Sequence, residues 1–145
     1  MVKVFIKKLD PAVKLPEYKT EGASGMDLKA FIEKTIKVKA KTSVLVPTGI
    51  SVAFPKEYEI QIRPRSGLAA KNNISVLNAP GTIDSDYRGE IKIIIYNHGD
   101  TDFKINNGDR VAQMTLSPII KMQLKETNDL PETIRGEGGF GSTGK

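Results

Sequence analysis

The sequence predicts an all-β protein, an antiparallel jelly-roll-like sandwich or barrel with one short helix. Three observations carry that prediction. Apolar residues recur with period two in several short runs, polar turn signals separate the runs, and no window of helical length shows an apolar stripe longer than about two turns.

Along the chain, Val2, Val4 and Ile6 open the period-two pattern, and Ile36, Val38 and Ala40 interleaved with Lys37, Lys39 and Lys41 repeat it with one wet face. Further strands are expected at residues 43–46, 50–54, 58–62, 90–97 and 110–116. Pro47-Thr48-Gly49, Asn97-His98-Gly99-Asp100 and Asn106-Asn107-Gly108-Asp109 supply the turns. The helix candidate is Ser66 to Asn72, and residues 78–89 read as a hairpin. A length of 145 residues suits one β-domain, placed at residues 1–134. Residues 135–145 form a glycine-rich tail with too little apolar surface to pack alone, and the expectation is that it stays mobile until something binds it.

Composition narrows the chemistry. With no cysteine, disulfides, thiolate metal sites and cysteine nucleophiles are excluded, and the single His98 cannot make an imidazole cluster, so a metal would have to be held by oxygen. The net charge of +5 favours an anionic partner. The lysines alternate along strands and form no block with interleaved aromatics, which speaks for a solvated surface and against nucleic acid. No apolar run is long enough to span a membrane, and the alternating N-terminus lacks the apolar stretch of a secretion signal, so the expected location is the cytoplasm.

Three segments carry functional chemistry. Arg63 to Ala69 ends a strand and opens the helix, where a guanidinium, the Ser66 hydroxyl and free N–H groups suit an anion, although many surface turns contain the same residues. In residues 78–89, Asp84 and Asp86 precede Tyr87; the plain reading is turn chemistry with Tyr87 in the core, the functional one a carboxylate that deprotonates water beside a ring that packs on a sugar. The tail fits a dinucleotide fingerprint and the start of a P-loop, but both need a helix to follow and none does. Arg135, Phe140, Ser142 and Thr143 set among glycines nonetheless suit a nucleotide.

Five segments in order, Ala23-Ser24-Gly25-Met26-Asp27-Leu28, Pro64-Arg65-Ser66-Gly67-Leu68, Asn78 through Gly89, Gly108-Asp109-Arg110-Val111-Ala112-Gln113 and Arg135 through Gly144, carry a resemblance to the trimeric dUTPases. It runs from about the twentieth residue to the end. The resemblance implies hydrolysis of dUTP to dUMP and pyrophosphate, which keeps dUTP low and supplies dUMP for thymidylate synthesis. Asp84 would be the general base, with Asp86 as its nearby rival. Tyr87 would cover the deoxyribose, and Asn78 with the backbone of Gly81, Thr82 and Ile83 would read uracil. Lys92, placed further along the same strand, would add a backbone contact. Arg65, Ser66, Gly67 and Gln113 would hold phosphate, while Arg135, Phe140, Gly141, Ser142 and Thr143 would close over the nucleotide. Mg²⁺ would ride on the substrate phosphates and meet Asp27 through water. The family is homotrimeric, with each site shared among subunits. A dCTP deaminase of the same architecture is the nearest rival, though its glutamate is not found beside these motifs and it lacks the aromatic tail. A catalytically silent nucleotide-binding module of the same fold is the other.

Overall fold

The computed structural model describes residues 1–140. Among them the chain forms β1 (Phe5–Lys8), β2 (Met26–Lys29), β3 (Ile36–Val38), β4 (Ser43–Pro47), β5 (Ile50–Ala53), β6 (Tyr58–Arg63), α1 (Ser66–Asn72), β7 (Ile74–Val76), β8 (Gly81–Ile83), β9 (Lys92–Asn97), β10 (Phe103–Ile105) and β11 (Arg110–Pro118). All described strand pairings are antiparallel: β2-β11-β6-β8 form one sheet and β4-β9-β7 a second, with β1-β5 and β3-β10 pairs beside them. This is the expected all-β architecture with one short helix.

The core is made almost wholly of branched aliphatic side chains, whose stiffness fits them to a pleated surface. Val38, Val46, Ile91, Ile93, Ile95 and Ile105 are completely or almost completely buried, together with Leu28 and Ile74. In β9 the alternation is plain, since Ile93 and Ile95 point inward while Ile94 lies half-exposed between them. Asn97 ends that strand as a buried polar residue with every need met: its amide donates to Val38 O at 3.1 Å and Thr101 O at 2.8 Å, and its Oδ1 accepts the Gly99 N–H at 2.9 Å. It thereby ties the β9–β10 turn to β3.

The four-stranded sheet separates its faces by register. Ile60 and Ile62 of β6 stand opposite Leu116 and Met114 of β11 and Ile83 and Gly81 of β8, on the core side. Glu59, Gln61 and Arg63 alternate with them and form a polar ladder, in which Gln61 Nε2 donates to Glu59 Oε1 at 2.6 Å and Arg63 donates twice to Gln61 Oε1. The register of β11 against β2 slips between Arg110 and Ala112, so the consecutive Val111 and Ala112 are both buried. Such a bulge re-aims the side chains beside it.

Several local expectations need correction. The first strand begins at Phe5, because pairing with β5 runs from Phe5 opposite Ala53 to Lys8 opposite Ile50, and Val2 remains exposed. Residues 78–89 are no hairpin: β8 pairs with β6 in one sheet, while the next strand, β9, pairs with β4 and β7 in the other. Lys92 therefore does not lie on the strand that carries Thr82 and Ile83. The segment between β8 and β9 is a crossover between sheets.

Candidate functional site

Three of the sequence motifs converge at one end of the four-stranded sheet. Gln113 of β11 is the cross-strand partner of Asp27 on β2 and of Arg63 on β6, so the pairing itself brings motif residues distant in sequence side by side. Arg65 caps the start of α1 in an extended conformation (φ −93°, ψ 125°) and donates its Nε to Asp27 Oδ1 at 2.8 Å. Arg110, re-aimed by the bulge, donates to the other carboxylate oxygen at 3.2 Å. Gln113 Nε2 donates to Pro64 O at 3.0 Å and fixes the approach to the helix. Gly25 makes room for this corner, because a Cβ there would lie 3.0 Å from Gln113 Oε1 and 3.1 Å from Met114 O.

Asp27 is thus no turn residue but a strand carboxylate clamped by two guanidiniums. One carboxylate against two guanidiniums leaves the corner with one excess positive charge, aimed where α1 begins. The first N–H groups of a helix have no intrahelical acceptor, and Ser66 and Gly67 occupy those positions, both exposed. A Cβ at Gly67 would meet nothing within 4 Å, so packing in the chain does not require glycine there. Close approach of a ligand to the backbone would.

The third motif is built differently. Gly81 is buried, and a Cβ on it would press on the Asn78 amide (3.1 Å to Nδ2) and on Ile62, so the glycine lets the Asn78 side chain fold over β8. Thr82 and Ile83 follow on the edge strand, and Asp84 stands exposed beyond its end, its carboxylate accepting no hydrogen bond among the described residues. The Tyr87 N–H donates to Asp84 O at 3.1 Å, and the Tyr87 hydroxyl donates to Glu90 O at 3.0 Å. Lys92 is exposed and lies 3.6 Å from Glu90 Oε2.

The edge strands β2 and β8 are three spacings apart, about 14 Å. Among the described residues no side-chain hydrogen bond or ion pair joins residues 78–89 to Asp27, Arg65 or Gln113. An open depression of about 480 Å³ lined by Gln61, Arg63, Pro64, Ala79, Pro80 and Gln113 runs between the two regions. A narrower cavity of about 360 Å³ lies on the far side of β2, under residues 12–17, and among the motif side chains assigned above it touches only Asp27. Arg135 makes a local bond to Gly138 O at 2.7 Å, and Phe140 is fully exposed. Gly141, Ser142 and Thr143 lie outside the described residues.

The residues match a family model, described as dUTPase, over positions 12–144. The chain belongs to the dUTPase family. It is 56% identical to the deoxyuridine 5'-triphosphate nucleotidohydrolase of Rickettsia bellii, an alignment covering 99% of this chain and 97% of that protein. Against the enzyme of the same name from Clostridium acetobutylicum the identity is 52%, covering 99% and 98%. The fold is similar to that of the solved dUTPase of Staphylococcus bacteriophage 80alpha with dUpNHpp, with a TM-score of 0.87 at 23% identity over 99% of each chain. It is also similar to the dUTPase of phage phi11 of S. aureus, described with a structural Mg(II) ion, with a TM-score of 0.80 at 20% identity over 90% of this chain and 99% of that one.

Within this dUTPase-family chain, two features of the site were not assigned from sequence. Arg110 belongs to the fourth motif, and the one signal of its pairing with Asp27 is their opposite charge. Gly89 closes the hairpin expected at residues 78–89 and Glu90 opens the strand expected at 90–97, and nothing in that spacing shows that they contact Tyr87.

Proposed function

We propose that this chain hydrolyses dUTP to dUMP and pyrophosphate at a site assembled from several copies of the chain. The observation that carries the reading is the division just described, a corner with excess positive charge whose Asp27 lies three strand spacings from β8, about 14 Å, and beyond β8 an exposed carboxylate close in the chain to a tyrosine ring. Arg65, the N–H groups of Ser66 and Gly67, and Gln113 hold the phosphate oxygens. Asn78 and the backbone of Gly81, Thr82 and Ile83 read the uracil edge, Tyr87 covers the sugar face where a ribose 2′-hydroxyl would project, and Lys92 adds a backbone contact.

Asp84 takes a proton from water as the water oxygen bonds to the α-phosphorus; the bond from that phosphorus to the bridging oxygen breaks, and pyrophosphate leaves with the electron pair. An unpaired, exposed carboxylate suits a base, since no internal partner competes for the proton. Asp86 then has a turn role only.

For a divalent ion the donor set is sparse. Among the described residues no group of three or more His, Cys, Asp or Glu side chains gathers, and both oxygens of Asp27 are engaged by arginines. That fits Mg²⁺ held by substrate phosphate oxygens with water between it and Asp27. When bound there it neutralises phosphate charge.

The assembly is a homotrimer, residues 1–134 forming the body and 135–145 closing over the nucleotide of another copy, with Arg135 on phosphate and Phe140 stacked on uracil. In support, among the described residues the last backbone hydrogen bond from the segment after β11 to the sheets is the Ile119 N–H on Glu57 O at 2.9 Å. Beyond it Ile120, Met122 and Leu124 are more than four-fifths exposed and alternate with Lys121, Gln123 and Lys125. That is the pattern of a strand with no sheet of its own to join. No helix among the described residues is long and apolar enough to cross a membrane.

Purified protein offered dUTP, dCTP, dTTP and UTP with Mg²⁺ in parallel should release pyrophosphate rapidly from dUTP alone. Ammonia from dCTP would instead identify a deaminase, and no turnover of any of the four a silent binding module.

A further inference from the structure

We infer that Gly89 and Glu90 are positioning residues that seat the Tyr87 ring and thereby set discrimination between deoxyribose and ribose, an inference resting on the sugar-face role of Tyr87 proposed above. The ring lies directly on Gly89. A Cβ at that position would sit 2.5 Å from Tyr87 Cζ and 2.9 Å from Cε2, and closer still to the hydroxyl oxygen. No side chain tolerates such contacts, so any residue other than glycine displaces the ring.

Glu90 holds the other end of the seat. Its backbone carbonyl accepts the Tyr87 hydroxyl at 3.0 Å. Its side chain is about one-fifth exposed, and Oε1 accepts the Gly49 N–H at 2.9 Å while Oε2 faces Lys92 at 3.6 Å. Gly49 lies in the turn between β4 and β5, with φ at +69°, and a Cβ there would strike Val13 Cγ2 at 2.5 Å and the Phe31 ring at 3.0 Å. That turn is rigidly tied in: the Phe31 N–H donates to Pro47 O at 2.9 Å and the Leu9 N–H to Gly49 O at 2.8 Å. Thr48 Oγ1 donates to Ile91 O at 2.5 Å, and the Ile91 N–H to Ile50 O at 2.9 Å. The crossover carrying Tyr87 is therefore stapled at Glu90 and Ile91 to a turn that is itself tied in, whereas the Tyr87 ring is almost half exposed. Its orientation depends on one hydrogen bond, one missing Cβ and the carboxylate that fixes the carbonyl.

The two groups separate in their consequences. Because the atoms that a Gly89→Ala methyl would meet belong to the end of a surface side chain, the ring swings away and the fold survives. Glu90→Gln keeps an acceptor for Gly49, and Glu90→Ala does not.

The test compares kcat/KM for dUTP and UTP in Gly89→Ala, Glu90→Ala and Glu90→Gln, each alone and in a Tyr87→Ala background. Gly89→Ala and Glu90→Ala should each narrow the preference for dUTP about tenfold, with Glu90→Gln within about threefold of the parent. In the Tyr87→Ala background neither should narrow it further, since the ring they act through is gone. A preserved ratio in Gly89→Ala, which needs no help from Glu90 to fold, overturns the inference, as does a further loss in the Tyr87→Ala background. Should Tyr87→Ala itself leave the ratio unchanged, the sugar-face role fails, yet ring seating is still decided by the fluorine resonance of fluorotyrosine-labelled protein, assigned by its loss in Tyr87→Phe. A shift in Gly89→Ala and Glu90→Ala but not in Glu90→Gln supports the seating, and an unmoved resonance refutes it.

Discussion

The corner around Asp27 and the crossover around Tyr87 solve opposite problems. At the corner, polar side chains organise one another: Asp27 holds Arg65 and Arg110, and Gln113 holds the Pro64 carbonyl, so the groups proposed to bind phosphate are in place without a ligand. In the crossover the backbone does the organising, through Gly89 and the Glu90 staple, and it leaves the Asp84 carboxylate exposed with no hydrogen bond among the described residues. Charge that must be neutralised is met by a preformed network, and charge that must react is kept free of one.

The sharpest way to break this contrast is to neutralise the free carboxylate. Asp84→Asn keeps shape and removes the proton acceptor, so kcat should fall by roughly two to four orders of magnitude while nucleotide binding survives. Single-turnover measurement separates the two, and near-normal turnover would show that Asp84 is not the base.

If the two regions act in different copies, dead chains should complement. One chain carries Asp84→Asn and the other ends after Arg135. Each mixed trimer then holds one site with both an intact base and an intact tail, so equal mixing, which makes about three-quarters of trimers mixed, should restore about a quarter of full activity. Mixed trimers proved by mass that remain inactive would place base and tail in one chain.

A smaller effect tests the clamp. Arg110→Ala leaves Asp27 paired with Arg65 alone and removes the excess positive charge, so KM for dUTP should rise about tenfold with little change in kcat. The Arg110 side chain is half exposed, and such pairs contribute little to stability, so the thermal midpoint should barely move. A large drop in that midpoint would make Arg110 a structural residue.

The same division marks what could be read in the sequence. Period-two runs with a buried face, such as Ile93 and Ile95 or Ile60 and Ile62, announced their strands, and α1 was legible from its turn-like start to Asn72. Four short strands lack such a signal: Met26–Lys29, Ile74–Val76, Gly81–Ile83 and Phe103–Ile105 contain too few alternations to stand out, and the first three form against the longer β11, β9 and β6. The crossover looks like a hairpin in sequence for a related reason, since turn chemistry in Asp84, Ser85 and Asp86 says that the chain turns and not which sheet it turns into. At the corner, the motif residues were visible as types in order, but the clamp on Asp27 depends on the bulge between Arg110 and Ala112, and nothing local in the sequence specifies it.

The mildest perturbation distinguishes a residue kept for the fold from one kept for the ligand. Gly67 sits in the first turn of α1, at an exposed position with open space where a Cβ would go. In a helix, alanine is favoured over glycine because the unfolded chain has less freedom to lose, so Gly67→Ala should stabilise the protein by about 0.5 kcal/mol. The same methyl stands where phosphate oxygens approach the backbone N–H, so KM for dUTP should rise several-fold as stability rises. Urea unfolding and steady-state kinetics on one preparation measure both. A rise in both stability and KM fits a glycine retained for close approach of the nucleotide, whereas a gain in stability with unchanged KM would show that phosphate does not reach the start of α1 and would confine the proposed phosphate-binding corner to its side chains.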